Sequence, residues 1–477
     1  MKRRGLLILR GLLWLAAILI ALKLRLIVVG ESQSSAGDGI QYYQLSQVLR
    51  LEHRFAYSPG APLTFTRLPG YPLFLALLAP GRPIDLATHL IMATRANALL
   101  DVGSALVVAA MARRLGMGML AQLLGFGAVV VSPPLLMLST FGLSESLVTF
   151  LLTLAVYLAL RVKDAPTSAH KRRSAIAAGI LLGLSQLIRV DALLVIPSLL
   201  MLFGLLQGSW QKRLSLMGLC LGLAALTFAP WPLRNLRLFR ATYAGGVPWI
   251  DQEGVPLRLG MMRWYQTWAT GRQDGEGFDL FLVARHAPLP PSRPNVITPV
   301  MYEDERERQR LAALFDKYCR EGLSPAVDQQ FYRLAWQRFK HRPFRILVEL
   351  PLVRLKTLWS PMPTYEMGIH STLLRLPEER ERWDRFGSLL LLLSVAGVCF
   401  ALSEPHKRRW VLALVLIPIV RSVAFVYLHP IPLQRYFVEA MPVLLLFSGY
   451  ALAWPIDRLC ELLSVLVNRS STSEPSL

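Results

Sequence analysis

Gly37-Asp38-Gly39-Ile40-Gln41-Tyr42-Tyr43 begins just after the first apolar run, Leu6–Val29, and a short loop later the chain reads Arg67-Leu68-Pro69-Gly70-Tyr71-Pro72-Leu73-Phe74-Leu75-Ala76-Leu77-Leu78. Together these stretches place a lone carboxylate just outside a membrane, followed by an arginine and a rigid Pro-Gly-Tyr-Pro turn that leads back to the bilayer. The arrangement predicts chemistry at a membrane surface.

The remainder of the chain supplies the membrane part. Hydrophobic residues make up 53% of the 477 and charged residues only 17%, with a mean hydropathy of +0.42. A soluble core cannot absorb that much apolar sequence. A spanning helix needs about 20 mainly apolar residues, because lipid offers the backbone no partner outside its own segment. Segments of this kind are predicted at Leu6–Val29, near Ala93–Ala112, Gly118–Leu138, Leu143–Leu160, Ala175–Arg189, Ala192–Leu206, Leu214–Trp231, Phe386–Leu402, Trp410–Leu428 and Val438–Pro455. These make about ten spans in an all-α polytopic membrane protein. The short Ala175–Arg189 stretch reads either as part of one long kinked helix with its successor or as half of a re-entrant pair.

Orientation follows from Lys and Arg in the short loops, which concentrate on the cytoplasmic side. Lys2-Arg3-Arg4, Arg113-Arg114, Arg161 to Arg173, Lys212-Arg213 and Lys407-Arg408-Arg409 all fall on one side if the helices alternate. Both termini are then cytoplasmic and Asp38 lies outside. The same bias, with attraction to anionic headgroups, accounts for the net charge of +21 better than nucleic-acid binding does, since the charges are scattered through loops. The first apolar run reads as a retained signal anchor, with Lys23 and Arg25 snorkelling toward headgroups. Of the four cysteines only Cys319 lies in the outer region, so no exported disulfide is expected.

The organisation predicted is an N-terminal transmembrane catalytic region, 1–231, with a first outer loop at 30–92; an extracytoplasmic domain, 232–385; C-terminal transmembrane helices, 386–460; and a cytoplasmic tail, 461–477. In the outer domain, helices are expected over Tyr302–Arg320 and Ala326–Lys340, the latter with Phe331, Ala335 and Phe339 on one face. An interfacial helix is expected over 343–360. The proline-rich Ala287–Pro299 reads as a loop or flap. Trp249, Trp264 and Trp268 could stack on sugar rings there, or serve as interfacial anchors.

Several polar residues fall on the Asp38 side. Asp38 itself has flanking glycines that allow close backbone approach, although Asp is also an ordinary helix N-cap. Glu145 opens the fourth span after Ser144, which capping alone would also explain. Arg67, Arg189, Arg234 and Arg435 lie at outer ends of spans, where guanidinium forks suit a lipid phosphate or plain headgroup contact. Asp101, one turn after Asn97, sits inside a span, where a pairing with Arg95 or a neighbouring helix competes with a functional role.

The series Gly-Asp38-Gly-x-x-Tyr-Tyr, Arg67-Leu-Pro-Gly-Tyr-Pro-Leu-Phe-Leu, Ser144-Glu145-Ser, Pro230-Trp231-Pro-Leu-Arg234-Asn235 and Gln434-Arg435-Tyr436-Phe resembles the membrane glycosyltransferases of the GT-C fold. It is closest to the protein mannosyltransferase and aminoarabinose-transferase-like branch. The resemblance runs from about Leu6 to Trp454 and is patchy in the outer domain. It implies a polyprenyl-phosphate-linked sugar donor, an acceptor that is a glycan, lipid or protein, membrane lipids but no nucleic acid as partners, and a place in the cytoplasmic membrane. It maps the catalytic acid of the first outer loop to Asp38, as general base. The second acid that often accompanies it has only Glu52 as a counterpart here, in a less family-like context, so a divalent metal requirement stays open and no other cofactor is implied. On this reading Glu145 orients the acceptor or acts as a secondary acid. Arg67 and Arg435, with Arg234 and Tyr436, attend the donor phosphate and lipid, while Tyr42, Tyr71, Trp231 and His429 line the pocket. The alternatives are a transporter or flippase for lipid-linked sugars, or a glycan polymerase or ligase. Transporters tend to show repeated halves and midplane polar sites, whereas the acidic candidates here crowd one face and no repeat is visible.

Overall fold

Residues 2–31, 38–79, 82–239, 259–270, 297–321, 324–360, 377–429 and 434–471 are described by a computed structural model of the chain. Helices α1 (Lys2–Glu31), α4 (Leu86–Arg114), α7 (Glu145–Arg161) and α8 (Ser168–Gln186) belong to the N-terminal half, with α2 (Asp38–Glu52) and α3 (Gly70–Leu78) in the first outer loop. Seven helical stretches among the described residues are long and apolar enough to cross a bilayer, and a bent pair would make an eighth. The chain is a multi-pass membrane protein.

The bent pair is α5 (Met119–Val131) and α6 (Pro133–Ser139), which meet at 51°. The sequence reading had one continuous span there. Ser132 is extended (ψ 119°) because the following Pro133 crowds the helical region, and Pro133 then opens the second helix. A similar break follows α8, where a 3₁₀ turn at Val190–Val195 leads into the short α9 (Ile196–Gly204). Two separate helices, α8 and α9, therefore flank this turn. The chain continues through α10 (Trp210–Phe228) and α11 (Pro230–Phe239).

Helices α12 (Leu259–Gln266), α13 (Glu305–Glu321) and α14 (Pro325–His341) close over a small core of their own. Val327, Phe331, Leu334 and Ala335 form the buried face of α14, at the spacing the sequence shows. Phe339 is only half-buried and stacks on Trp336. Trp264 and Trp268 belong to this core, at 0% and 3% exposure, so they are not presented to a sugar. Trp249 and most of the Ala287–Pro299 loop lie outside the described residues.

The stretch expected to be an interfacial helix forms a π turn at Arg345–Glu349 and helix α15 (Leu350–Trp359). Phe344, Leu347, Leu352 and Val353 are exposed on it, while Arg354 turns inward and donates to the carbonyls of Ala269, Gln266 and Val426. That one guanidinium ties the chain just after α12 to the carbonyl of Val426.

The last three helices, α16 (Pro377–Ser403), α17 (Pro405–Leu428) and α18 (Met441–Ser471), pack back on the first half. Two contacts depend on glycine: a Cβ at Gly397 would strike the Phe447 carbonyl, and one at Gly449 would strike the backbone of Gly125. Small residues let lipid-embedded helices approach this closely.

Arg25 corrects one expectation. It is fully buried, pairs with Asp101 at 2.8 Å and donates to the Val129 carbonyl at 2.8 Å, so it does not snorkel. Asp101 is thereby explained as the partner of α1 rather than of Arg95. At the far ends of the same helices, Arg114 meets Asp164, and Lys163 donates to the Arg114 carbonyl and lies over Trp410. Three of the basic stretches named in the sequence, at Arg113-Arg114, Arg161 to Arg173 and Lys407-Arg408-Arg409, thus come together.

Candidate active site

Asp38 is the first residue of α2, and its carboxylate is held by two arginines from distant parts of the chain. Arg67 Nη2 lies 2.5 Å from Oδ1 and Arg435 Nη2 lies 3.3 Å from Oδ2. Its side chain keeps 30% of its exposure. Burial pushes the Asp38 pKa up, but the charges of Arg67 and Arg435 and their hydrogen bonds outweigh burial and leave it below the usual carboxylate range. The group is therefore ionised at neutral pH.

Each arginine is fixed in turn. Arg67 donates through Nε to Gln41 at 2.8 Å and lies over the Tyr42 ring. Gln41 and Tyr42 are one turn from Asp38, so the first turn of α2 supplies carboxylate, amide and ring together. The Arg67 loop is pinned by Gly70, whose N–H donates to the Leu187 carbonyl at 2.8 Å and whose missing Cβ leaves room for it; a side chain there would lie 2.7 Å from that oxygen. Arg435 begins a 3₁₀ helix at Gln434–Ala440 and lies over its neighbour Tyr436.

Behind Tyr436 lies a buried charge cluster. Arg189 reaches Glu145 at 3.4 Å, Asp191 at 3.1 Å and Glu439 at 3.0 Å. Arg421 reaches Asp191 at 2.7 Å and Glu439 at 2.6 Å, and also donates to the Tyr436 carbonyl at 2.7 Å. Arg189 lies over the Tyr436 ring as Arg435 does. Tyr436 thus joins the cluster to the Asp38 pair.

Of the residues singled out in the sequence, Asp38, Arg67, Tyr42, Arg435 and Tyr436 meet directly. Glu145 joins through Arg189, and His429 packs on Tyr436 at 4.7 Å. Tyr71 packs edge-on against Tyr42 at 5.0 Å. Trp231 and Arg234 are placed differently. Trp231 sits in a small core with Leu45, Phe55, Phe65 and Leu68, and Arg234 lies over its ring and donates to the Thr64 carbonyl and to Asn235. Their described contacts brace the first outer loop. Asp191, Arg421 and Glu439 were not singled out in the sequence. Arg421 and Glu439 carried a signal, since ionisable residues inside apolar segments are costly and usually functional.

Glu52 pairs with Arg54 at 3.5 Å. No group of three His, Cys, Asp or Glu side chains suited to a metal forms among the described residues, and two guanidinium groups on Asp38 oppose a cation there.

Residues 67–237 match the family model for dolichyl-phosphate-mannose-protein mannosyltransferase. No curated protein matches the chain in sequence. The archaeal oligosaccharyltransferase AglB from Archaeoglobus fulgidus, solved with an inhibitory peptide and a dolichol-phosphate, superposes with a TM-score of 0.52 at 14% identity, over 97% of this chain and 52% of its own. The same enzyme in complex with Zn and sulfate gives 0.52 at 15%, over 95% and 51%. ArnT from Cupriavidus metallidurans bound to undecaprenyl phosphate gives 0.39 at 15%, over 93% and 76%. The fold is of the GT-C class, shared with AglB, and the chain spans about half the length of that structure.

Proposed function

We propose that the chain is a membrane glycosyltransferase that moves a sugar from a polyprenyl-phosphate donor to an acceptor on the extracytoplasmic side. One observation carries the reading: a carboxylate and two convergent arginines at one end of the bundle, Asp38 with Arg67 and Arg435. The two guanidinium groups suit the donor phosphate, and the carboxylate suits a proton from the acceptor.

In this mechanism the acceptor oxygen or nitrogen attacks the anomeric carbon and gives its proton to Asp38. The bond from that carbon to the phosphate oxygen breaks, and polyprenyl phosphate leaves with the electron pair. Direct displacement inverts the anomeric centre. Arg67 and Arg435 neutralise the departing charge, in a site where such stabilisation is usually the largest contribution to rate. The same two residues hold Asp38 below its ordinary pKa, so an arriving phosphate competes for them and makes Asp38 the stronger base when it is needed. The contact of Glu145 with Arg189 supports a role for Glu145 in orienting the acceptor or as a secondary acid.

The positive-inside bias of the basic loops supports both termini inside and a site on the extracytoplasmic side. There, sugar already carried across on lipid is the fitting donor. Mannose is the first sugar to try, given the family that residues 67–237 match. The test is release of polyprenyl phosphate by the reconstituted protein, supplied with labelled polyprenyl-phosphate sugars and membrane extract as acceptor. Movement of intact labelled lipid across the bilayer without release would instead establish a transporter.

A further inference from the structure

Arg435 stands on the short 3₁₀ helix Gln434–Ala440. Such a helix turns once every three residues, so side chains at i and i+3 share a face. Tyr436 and Glu439 therefore stand together, with Arg435 one third of a turn away, and whatever grips that face sets where Arg435 points. Arg435 reaches Asp38 at 3.3 Å, long for a hydrogen bond between opposite charges, so a small rotation would break the contact.

The grip comes from α17. Arg421, Phe425 and, at the C-terminal cap, His429 follow one another at intervals of four and so lie along one stripe of the helix. All three meet Tyr436. Arg421 donates to its carbonyl through Nε at 3.2 Å and Nη2 at 2.7 Å. Phe425 stacks on its ring, centroids 5.3 Å apart and planes 11° apart, and His429 lies 4.7 Å from the same ring. Arg421 also takes Glu439 at 2.6 Å, on the same face of the 3₁₀ helix, and Asp191 at 2.7 Å. One guanidinium, 2% exposed, thus gathers α17, the turn after α8 and the helix that bears Arg435.

An ion pair that only joined helices would need the carboxylates alone. Here two guanidinium nitrogens converge on a single carbonyl, that of the residue next to Arg435. A lysine, whose ammonium is a point charge on a flexible stem, cannot present that fork. We propose that Arg421 and Phe425 are positioning residues, which fix the rotation of the Gln434–Ala440 helix through Tyr436 and so deliver Arg435 to Asp38. The effect on rate rests on the glycosyl-transfer reading above; the placement of Arg435 does not.

Two variants disturb Tyr436 in different ways: Arg421→Lys keeps a positive charge for the carboxylates, and Phe425→Leu changes no charge. Placement is read without turnover. In a background with the four native cysteines replaced, Asp38→Cys sets a thiol beside Arg67 and Arg435, and nearby cations lower the pKa of a thiol. The pH midpoint of its alkylation by iodoacetamide, measured on the full-length protein in nanodiscs, should rise when either variant is added, with alkylation at neutral pH about 3- to 10-fold slower. In proteins that keep Asp38, both variants should lower kcat/KM about 10- to 100-fold for the best donor of a panel of polyprenyl-phosphate hexoses, N-acetylhexosamines and pentoses, and should move its acidic limb upward. A merely structural role would lower the melting temperature and the active fraction but leave midpoint and limb in place. A thiol midpoint unmoved in both variants would overturn the proposal. A raised midpoint with an unmoved acidic limb would show that the reaction does not depend on this placement, and would overturn the positioning role. A wild type that releases polyprenyl phosphate from no donor would overturn the transferase reading, and the thiol midpoint would still decide whether Arg421 and Phe425 place Arg435.

Discussion

Asp38 is held by two arginines that lie 29 and 397 residues away in sequence. Its lowered pKa sets a sign. The stabilising contribution of the ionised form is present above the unfolded value of about 3.9 and is lost as pH falls through the lower folded value. Activity that needs the ionised group should follow the same side, so the acidic limb of kcat/KM should lie below the ordinary carboxylate range. Arg67→Gln removes the stronger of the two influences that lower the Asp38 pKa and should move that limb upward, as a pH–rate profile in nanodiscs would show. An unmoved limb would mean that another group controls it. The carboxylate and Arg67 were legible in the sequence because they share one loop and its turn chemistry. Arg189's partners were not, because Asp191 follows a helix break and Glu439 and Arg421 lie inside apolar runs where hydropathy hides single charges.

The helices themselves were legible by length and composition, but only eight of the ten expected spans coincide with stretches among the described residues that are long and apolar enough to cross a bilayer; those at Ala175–Arg189 and Ala192–Leu206 do not. Their interruptions were harder to read. Hydropathy ran through Ser132-Pro133-Pro134 and merged two helices that the structure bends apart. Long-range ion pairs were equally invisible, since α1 and α4 had to be packed before Arg25 and Asp101 could meet. That pair yields a test of packing. Arg25→Leu leaves Asp101 buried without its partner and should destabilise the protein by about 3–5 kcal/mol. Arg25→Leu with Asp101→Leu should recover most of the loss, since an apolar pair can replace a buried ionic one. A single variant that melts like the wild type in detergent would show that the pair contributes nothing.

At the scale of the molecule, the polar residues divide between two ends: the acids and convergent arginines at one, the basic loops at the other. Exposed Ser58 and Ser168 report on these ends. In a background with the four native cysteines replaced, Ser58→Cys should react with an impermeant maleimide in sealed cells, and Ser168→Cys only after permeabilisation; the reverse would invert the orientation. The fold class was legible in the sequence through five short motifs in order, while the cores beneath the first loop and within the outer domain became visible only when Trp231, Trp264 and Trp268 were seen packed. The account turns on Asp38 as the base. The deciding measurement compares initial rates of sugar transfer from a polyprenyl-phosphate donor by wild-type and Asp38→Asn protein of equal thermal stability. A fall of about 10²–10⁴-fold is predicted, and transfer at the wild-type rate by Asp38→Asn would contradict it.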